Sequence, residues 1–236
     1  MSFIKLVHGA GAREMWKLIE KVIINNVPPE YRKIENGVGL DVLDDGAAIK
    51  ISDKYLVFAI DSFTVNPVFF PGGDIGHLAA SGVINDLVMM GALPIAFMDT
   101  IVVEEGFPIK DLDTIIKSMT KILFENNIAL IGGDLKVMPR GSIDKITITG
   151  MGIGVAEEVI IDKNIREGDK VIVTAPIAEH GATILAAQLG LLDKARDLKS
   201  DSKPLTNTVL PVIRKYAKYI HAARDPTRGG LSSTLS

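Results

Sequence analysis

Residues 111–127 carry the clearest periodic signal in the chain. Leu112, Ile115, Ile116, Met119, Ile122 and Leu123 recur at three- and four-residue spacing, which places them on one stripe of an α-helix. A second helix is predicted over 74–90, entered after Gly72-Gly73 and closed by Gly91, a residue suited to a helix C-terminus. It opens the most apolar region of the chain, in which Asn85 and Asp86 stand as polar exceptions; a buried helix followed by a strand is expected. Strands are predicted over 47–51 and 55–60, with Ser52-Asp53-Lys54 as the turn between them. Tyr55-Leu56-Val57-Phe58-Ala59-Ile60 is apolar at every position, so burial on both faces is expected. Further strands are predicted over 94–103, briefly over 129–131 running into Gly132-Gly133-Asp134, and over 143–155, where Ile146 and Ile148 alternate with Thr147 and Thr149.

This order of elements predicts the α+β class, with helices packed on a largely antiparallel or mixed sheet. A second, α/β unit is expected from residue 156, so the chain divides into 1–155 and 156–236. In it a strand is predicted over 170–175, helices over 181–189 and 207–218, and a solvated loop over the polar stretch 193–203. Arg228-Gly229-Gly230 reads as a loop entering one more helix. At about 80 residues this unit is small for a self-sufficient core. It is expected to be a fragment or to be completed by a partner chain.

Charge narrows the functional classes. The 236 residues hold 26 Lys and Arg against 29 Asp and Glu, a net charge of −3, which lacks the basic excess of a general nucleic-acid binder. No run of about 18 uncharged apolar residues is present to span a bilayer. Residues 1–16 have no signal-peptide pattern, so a cytoplasmic location is expected. With no cysteine, disulfides, thiolate metal sites and a cysteine nucleophile are excluded within these residues.

Acids beside glycines or at strand ends are the chief candidates for chemistry: Asp44-Asp45-Gly46, Asp61, Asp86 and Asp134. A lone buried carboxylate is costly, so each needs a partner. All-oxygen ligands suit Mg²⁺, which combines a few carboxylates with substrate phosphates. Read singly, Asp44 and Asp45 equally suit turns, Asp61 a strand end and Asp86 an ion pair. His8-Gly9-Ala10-Gly11-Ala12-Arg13, before a helix predicted over 14–24, and Phe70-Pro71-Gly72-Gly73-Asp74 are both glycine-rich approaches to a helix, a geometry that can cradle phosphate. Neither is a Walker A motif. Gly150-Met151-Gly152-Ile153-Gly154 lies within a strand pattern and lacks dinucleotide-fingerprint spacing. Lys136, two residues after Asp134, either neutralises charge on a transferring phosphoryl group or pairs with Asp134. His8, His77, His180 and His221 show no zinc-ligand spacing.

Several segments occur together and in order: Val42-Leu43-Asp44-Asp45-Gly46-Ala47-Ala48, Ala59-Ile60-Asp61-Ser62, Phe69-Phe70-Pro71-Gly72-Gly73-Asp74-Ile75-Gly76, Asn85-Asp86-Leu87, Gly132-Gly133-Asp134-Leu135-Lys136-Val137 and Asp225-Pro226-Thr227-Arg228-Gly229-Gly230-Leu231. The set resembles the AIR synthase (PurM-like) superfamily, and more narrowly its hydrogenase-maturation branch, the HypE family. The resemblance implies a PurM-like N-terminal domain, with helices on one face of a mixed sheet, followed by a truncated PurM-type α/β C-terminal domain. It implies a homodimer that binds ATP and Mg²⁺ in a cleft between two subunits. Carried over, Asp44, Asp45, Asp61, Asp86 and Asp134 are expected metal ligands. His8, Gly9, Gly11, Asp45, Asp61, Ser62, Gly72, Gly73, Asp74, Asp86, Gly133 and Asp134 are expected around the nucleotide, and Lys136 is the expected catalytic residue.

The implied activity is ATP-dependent dehydration of a protein-bound thiocarboxamide to a thiocyanate, the source of cyanide for [NiFe] hydrogenase. Implied partners are a HypF-like carbamoyltransferase and HypC/HypD-like maturation proteins, with no nucleic acid and no membrane. The alternatives are an AIR synthase-like or thiamine-monophosphate kinase-like enzyme, or an ATP-binding scaffold lacking the acceptor cysteine. The chain departs from the family pattern in having no cysteine, in Ala12, and in Thr174-Ala175-Pro176-Ile177-Ala178-Glu179 before His180-Gly181.

Overall fold

The computed structural model describes residues 3–235. The first helix, α1 (Arg13–Val22), is followed by the hairpin β1 (Ala47–Ile51) and β2 (Lys54–Phe63) and by two short strands, β3 (Phe69–Phe70) and β4 (Gly73–Asp74). Then come α2 (Ile75–Met89), β5 (Leu93–Glu104), α3 (Ile109–Glu125), β6 (Ala129–Met138) and β7 (Ile146–Ala156). The remainder contributes α4 (Glu179–Gln188), α5 (Leu210–Tyr216) and α6 (Gly230–Thr234). Among the described residues no helix is long and apolar enough to cross a membrane.

Five strands form one mixed sheet in the order β1-β2-β7-β5-β6, with β5–β6 its parallel pair. Helices α2 and α3 lie on one face. The core between them holds Val57, Ala59, Ile75, Val83, Ile84, Leu87, Phe97, Ile115, Met119, Leu123 and Ile148, all nearly inaccessible. Strand β7 alternates strictly between buried and half-buried positions. Its buried positions include Gly150, Gly152 and Gly154, which explains the glycine triplet. A Cβ on Gly152 would lie 2.7 Å from Val83 and 2.8 Å from Leu87, so the missing side chain is what lets α2 close onto the sheet.

The other face of the sheet is largely apolar and exposed. Ile60 pairs with Met151, and Met151 with Met98, in one cross-strand row; Ile60 is 69% and Met98 36% exposed. The expectation that 55–60 is buried on both sides therefore fails: Val57 and Ala59 point into the core and Ile60 points out. The strand predicted over 129–131 continues through Gly132-Gly133 to Met138, with a register shift between Phe97 and Met98 on its partner.

Two further differences lie in the second half. Residues 170–175 form no strand, and Val171, Ile172 and Val173 are exposed. The stretch predicted as a solvated loop is instead fastened to the sheet domain along its later half. Ser200 N donates to Pro71 O (2.8 Å), His77 Nε2 lies 2.7 Å from Ser202 O, and Asn85 Nδ2 donates to Lys203 O (3.1 Å) while its Oδ1 accepts from Leu205 N (2.9 Å). Asn85, polar within an apolar helix, is thus explained as a backbone clasp.

Candidate active site

Three segments far apart in sequence bring acids to one place. Asp45 sits in the turn before β1, Asp86 on the last third of α2, and Asp225 in the segment before α6. Each offers a carboxylate oxygen, and these oxygens lie within 4.8 Å of one another. Asp86 occupies a helix position surrounded by Leu87, Val88 and Ile84, so its carboxylate enters the site from a buried helix face rather than from a loop.

Positive charge near this cluster is scarce. Arg224 is its main counter-charge and is shared. Its Nη1 donates to Asp45, its Nε to Asp162 and its Nη2 to Leu43 O (3.3 Å), and it stands 3.7 Å from Asp44. Burial pushes Asp45 up to about 8, and the charges of Asp225, Asp44 and Asp162 add to this against the pull of Arg224. Asp86 is also raised well above the carboxylate range, first by burial and then by Asp225, Asp45 and Asp61. Asp225 is raised to about 7, chiefly by burial. Arg224 itself is held protonated by Asp45 and Asp162 although burial works the other way. Asp45 Oδ2 is buried with no partner.

A divalent cation resolves both features. It would supply the charge that ionises the three acids and a ligand for the orphaned oxygen. An all-carboxylate donor set without sulfur or imidazole suits Mg²⁺. The residues present therefore fit that ion.

The remaining sequence candidates fall into three groups. The first borders the cluster. Asp61, at the end of β2, is close enough to raise Asp86 and Asp225, and Arg228 Nη2 donates to it at 3.3 Å. Ser62 follows it, with its Oγ 2.7 Å from Thr149 Oγ1. The loop carrying His8, Gly9 and Gly11 packs over the Arg228 segment. Gly11 has φ +76°, a Cβ there would collide with Arg228 O, and Ser233 Oγ donates to Gly11 O. His8 Nδ1 accepts from Lys5 N at 2.9 Å.

The second group holds backbone. Asp44 accepts from Asp45 N (2.9 Å) and Asp162 N (2.8 Å) and is turned into the protein. Asp74 caps α2 by accepting from Gly76 N (2.8 Å) and His77 N (3.0 Å). Gly72, at φ +95°, and Gly73 form the tight β3–β4 turn against Ser200 and His77. The third group, Gly133, Asp134 and Lys136, lies on the edge strand β6. Register places Ser62, Thr149, Thr100 and Asp134 in one row across four strands, so Asp134 stands three strands, about 14 Å, from Ser62 in the same chain.

Sequence reasoning left out Asp225, Arg224 and Asp162. The signal for Asp225 was the Asp225-Pro226-Thr227-Arg228-Gly229-Gly230 motif itself. Asp99 was also overlooked. It faces Gly133 and Gly150 on the sheet, and burial raises its pKa.

The chain is similar to known proteins over almost its whole length. Residues 43–156 match the model of the AIR synthase related protein N-terminal domain, and 166–236 match its C-terminal domain. A putative hydrogenase expression/formation protein of Methanocaldococcus jannaschii is 43% identical over 99% of this chain and 68% of its own length. A carbamoyl dehydratase HypE of Azotobacter vinelandii is 37% identical over 99% of this chain and 66% of its own. The chain thus spans about two thirds of the length of these curated relatives. Among solved structures, a HypE in complex with ATP has a TM-score of 0.72 at 35% identity, covering 99% of this chain and 67% of that one. A HypE–HypF complex has a TM-score of 0.73 at 35% identity, covering 92% and 68%.

Proposed function

Because the chain belongs to the AIR synthase related family, within its HypE hydrogenase-maturation branch, we propose that it is the ATP- and Mg²⁺-binding portion of a HypE-type carbamoyl dehydratase. The observation that carries this reading is the convergence of Asp45, Asp86 and Asp225 with too little positive charge to ionise them. The related HypE solved with ATP supports the nucleotide, and the one solved with HypF supports a carbamoyltransferase partner.

In this reading Asp45, Asp86 and Asp225 would hold Mg²⁺, which when bound would supply positive charge against the triphosphate. The Arg228 segment and the loop of His8, Gly9 and Gly11 close over the nucleotide beside Asp61 and Ser62. An amide oxygen attacks the γ-phosphorus, ADP leaves, and loss of inorganic phosphate and the amide protons from the O-phosphorylated carboxamide yields the nitrile. An amide oxygen is a weak nucleophile, so in-line placement must supply much of the rate. The 236 residues hold no cysteine, so the carbamoylated thiol comes from outside them.

Two copies complete the site. The apolar exposed sheet face with Ile60, Met151 and Met98 is the surface expected to pair with its like. Asp134 and Lys136, remote from the acids of their own chain, then serve the cluster of the partner. ADP production from Mg²⁺-ATP tests the reading. It should depend on an added S-carbamoyl-cysteine peptide and vanish in Asp86→Asn. Turnover with a purine-precursor amide or thiamine monophosphate instead would assign another reaction of the family. ATP binding without turnover of any substrate would make the chain a scaffold.

A further inference from the structure

Arg224 is the main counter-charge of the three acids, and the way its donors are divided matters as much as its charge. The strongest contact between a guanidinium and a carboxylate is a fork, in which two parallel N–H groups take both oxygens. Arg224 closes no such fork. Its Nη1 donates to Oδ1 of Asp45, its Nε to Oδ2 of Asp162 and its Nη2 to Leu43 O at 3.3 Å. Asp45 and Asp162 therefore receive one N–H each, and Asp45 Oδ2 and Asp162 Oδ1 are both buried with no partner.

Asp162 holds this division in place. It begins a short 3₁₀ turn, Asp162–Asn164. Its own N donates to Asp44 Oδ2 at 2.8 Å, and two residues earlier Ile160 N donates to Met90 O at 3.2 Å. The backbone beneath its carboxylate is thus tied both to the turn that carries Asp45 and to the end of the helix that carries Asp86. Asp162 is not one of the acids whose oxygens converge.

We propose that Asp162 is a positioning residue: it detains the Nε edge of Arg224, so that the arginine does not close a fork on Asp45 and Asp45 Oδ2 stays free to ligate the divalent cation. This rests on the reading of Asp45, Asp86 and Asp225 as metal ligands. With Asp162 truncated, Arg224 turns both terminal nitrogens on Asp45. The fork is favourable, because it satisfies an orphaned oxygen. That oxygen is the one the ion needs, so the ion is bound more weakly.

Titration of the whole chain with Mn²⁺, without nucleotide or turnover, tests this. Mn²⁺ takes the same oxygen ligands as Mg²⁺, and its free form is counted by electron paramagnetic resonance. Affinity should fall about tenfold in Asp162→Ala and stay within about threefold of wild type in Asp162→Asn, whose amide oxygen still accepts from Nε. Equal falls in both variants would overturn the proposal, because loss of charge alone would explain them. Wild-type affinity in Asp162→Ala would overturn it too. Arg224→Ala supplies the second arm. It should raise the affinity by a larger factor in the Asp162→Ala background than in the wild type, and an equal or smaller factor would overturn the role given to the arginine. If Asp162→Ala does not fold, Asp162→Leu, similar in shape and without an acceptor, must show the same fall; if Arg224→Ala does not fold, Arg224→Gln, which closes no fork, takes its place. Failure of the wild type to bind Mn²⁺ saturably would remove the metal site and the proposal together, whereas metal binding indifferent to position 162 removes the proposal alone.

Discussion

The guanidinium of Arg224 binds one carboxylate oxygen of Asp45 and leaves the other, Oδ2, buried without a partner. One cation half-satisfies an acid that two further acids crowd. The protein without a bound ion is therefore electrostatically incomplete at this point, and the first predictions concern that deficit.

Stability should fall as pH rises in the absence of divalent cations. Asp45 and Asp225 bind their protons up to about 8 and about 7 when folded, against about 3.9 when unfolded. Groups whose folded pKa is raised favour the folded state fully at low pH and lose that contribution as pH climbs through the folded values. The melting temperature in EDTA should be lower at pH 8.5 than at pH 6, by about 4 °C or more. Millimolar Mg²⁺ should remove most of the difference. A flat profile in EDTA would mean that the three acids are not close together in solution.

Asp86→Asn removes a ligand and a repulsive charge together. Mg²⁺-dependent ATP binding should weaken at least about tenfold, while the metal-free protein should melt at or above the wild-type temperature. Calorimetry with ATP and thermal melts read the two effects separately.

Arg224→Ala leaves Asp45 and Asp162 without their shared cation. Loss of the shared cation should lower the urea midpoint, and more at pH 9, where Asp45 is ionised, than at pH 7. Arg224→Lys should recover only part of it, since a single ammonium cannot reach Asp45, Asp162 and Leu43 O together.

Gly11→Ala should separate nucleotide affinity from folding. Position 11 has φ +76°, and its Cβ would strike Arg228 O. The N-terminal loop would leave the Arg228 segment, so ATP affinity should fall several-fold with little change in melting temperature. Gly152→Ala should do the opposite. Its methyl would press on Val83 and Leu87 inside the core and cost about 1–3 kcal/mol, with the acids untouched.

Much of the sheet domain could be read from periodicity. The amphipathic stripe of α3, the glycine-closed α2 and the alternation of β7 all appear where the pattern put them. The errors share a cause, which is that burial depends on what covers a surface. Tyr55 to Ile60 looked doubly buried because its outer side chains are apolar, yet on that face Leu56 and Phe58 are only half-buried and Ile60 is exposed. Gly72-Gly73-Asp74 looked like a phosphate cradle, but Asp74 already accepts the free N–H groups at the start of α2. Asp225 was noted within its motif but not counted among the site residues, because a proline-turn acid gives no local sign that it folds back against residues 180 positions earlier, as the Arg224–Asp45 contact shows for its neighbour. Asp45 and Asp86 stood out only as members of an ordered set of acids, since each alone equally suits a turn or an ion pair.

The width of the sheet has a genetic consequence. Lys136 stands on the edge strand β6, three strands from β2, whose Asp61 borders the cluster of Asp86, a span no side chain can bridge. Two defective proteins, Asp86→Asn and Lys136→Ala, each inactive alone, should regain function when unfolded, mixed and refolded together. Random pairing of equal amounts yields hybrids with one intact centre, so about a quarter of the wild-type rate should return. If each molecule worked by itself, the mixture would stay as dead as its components.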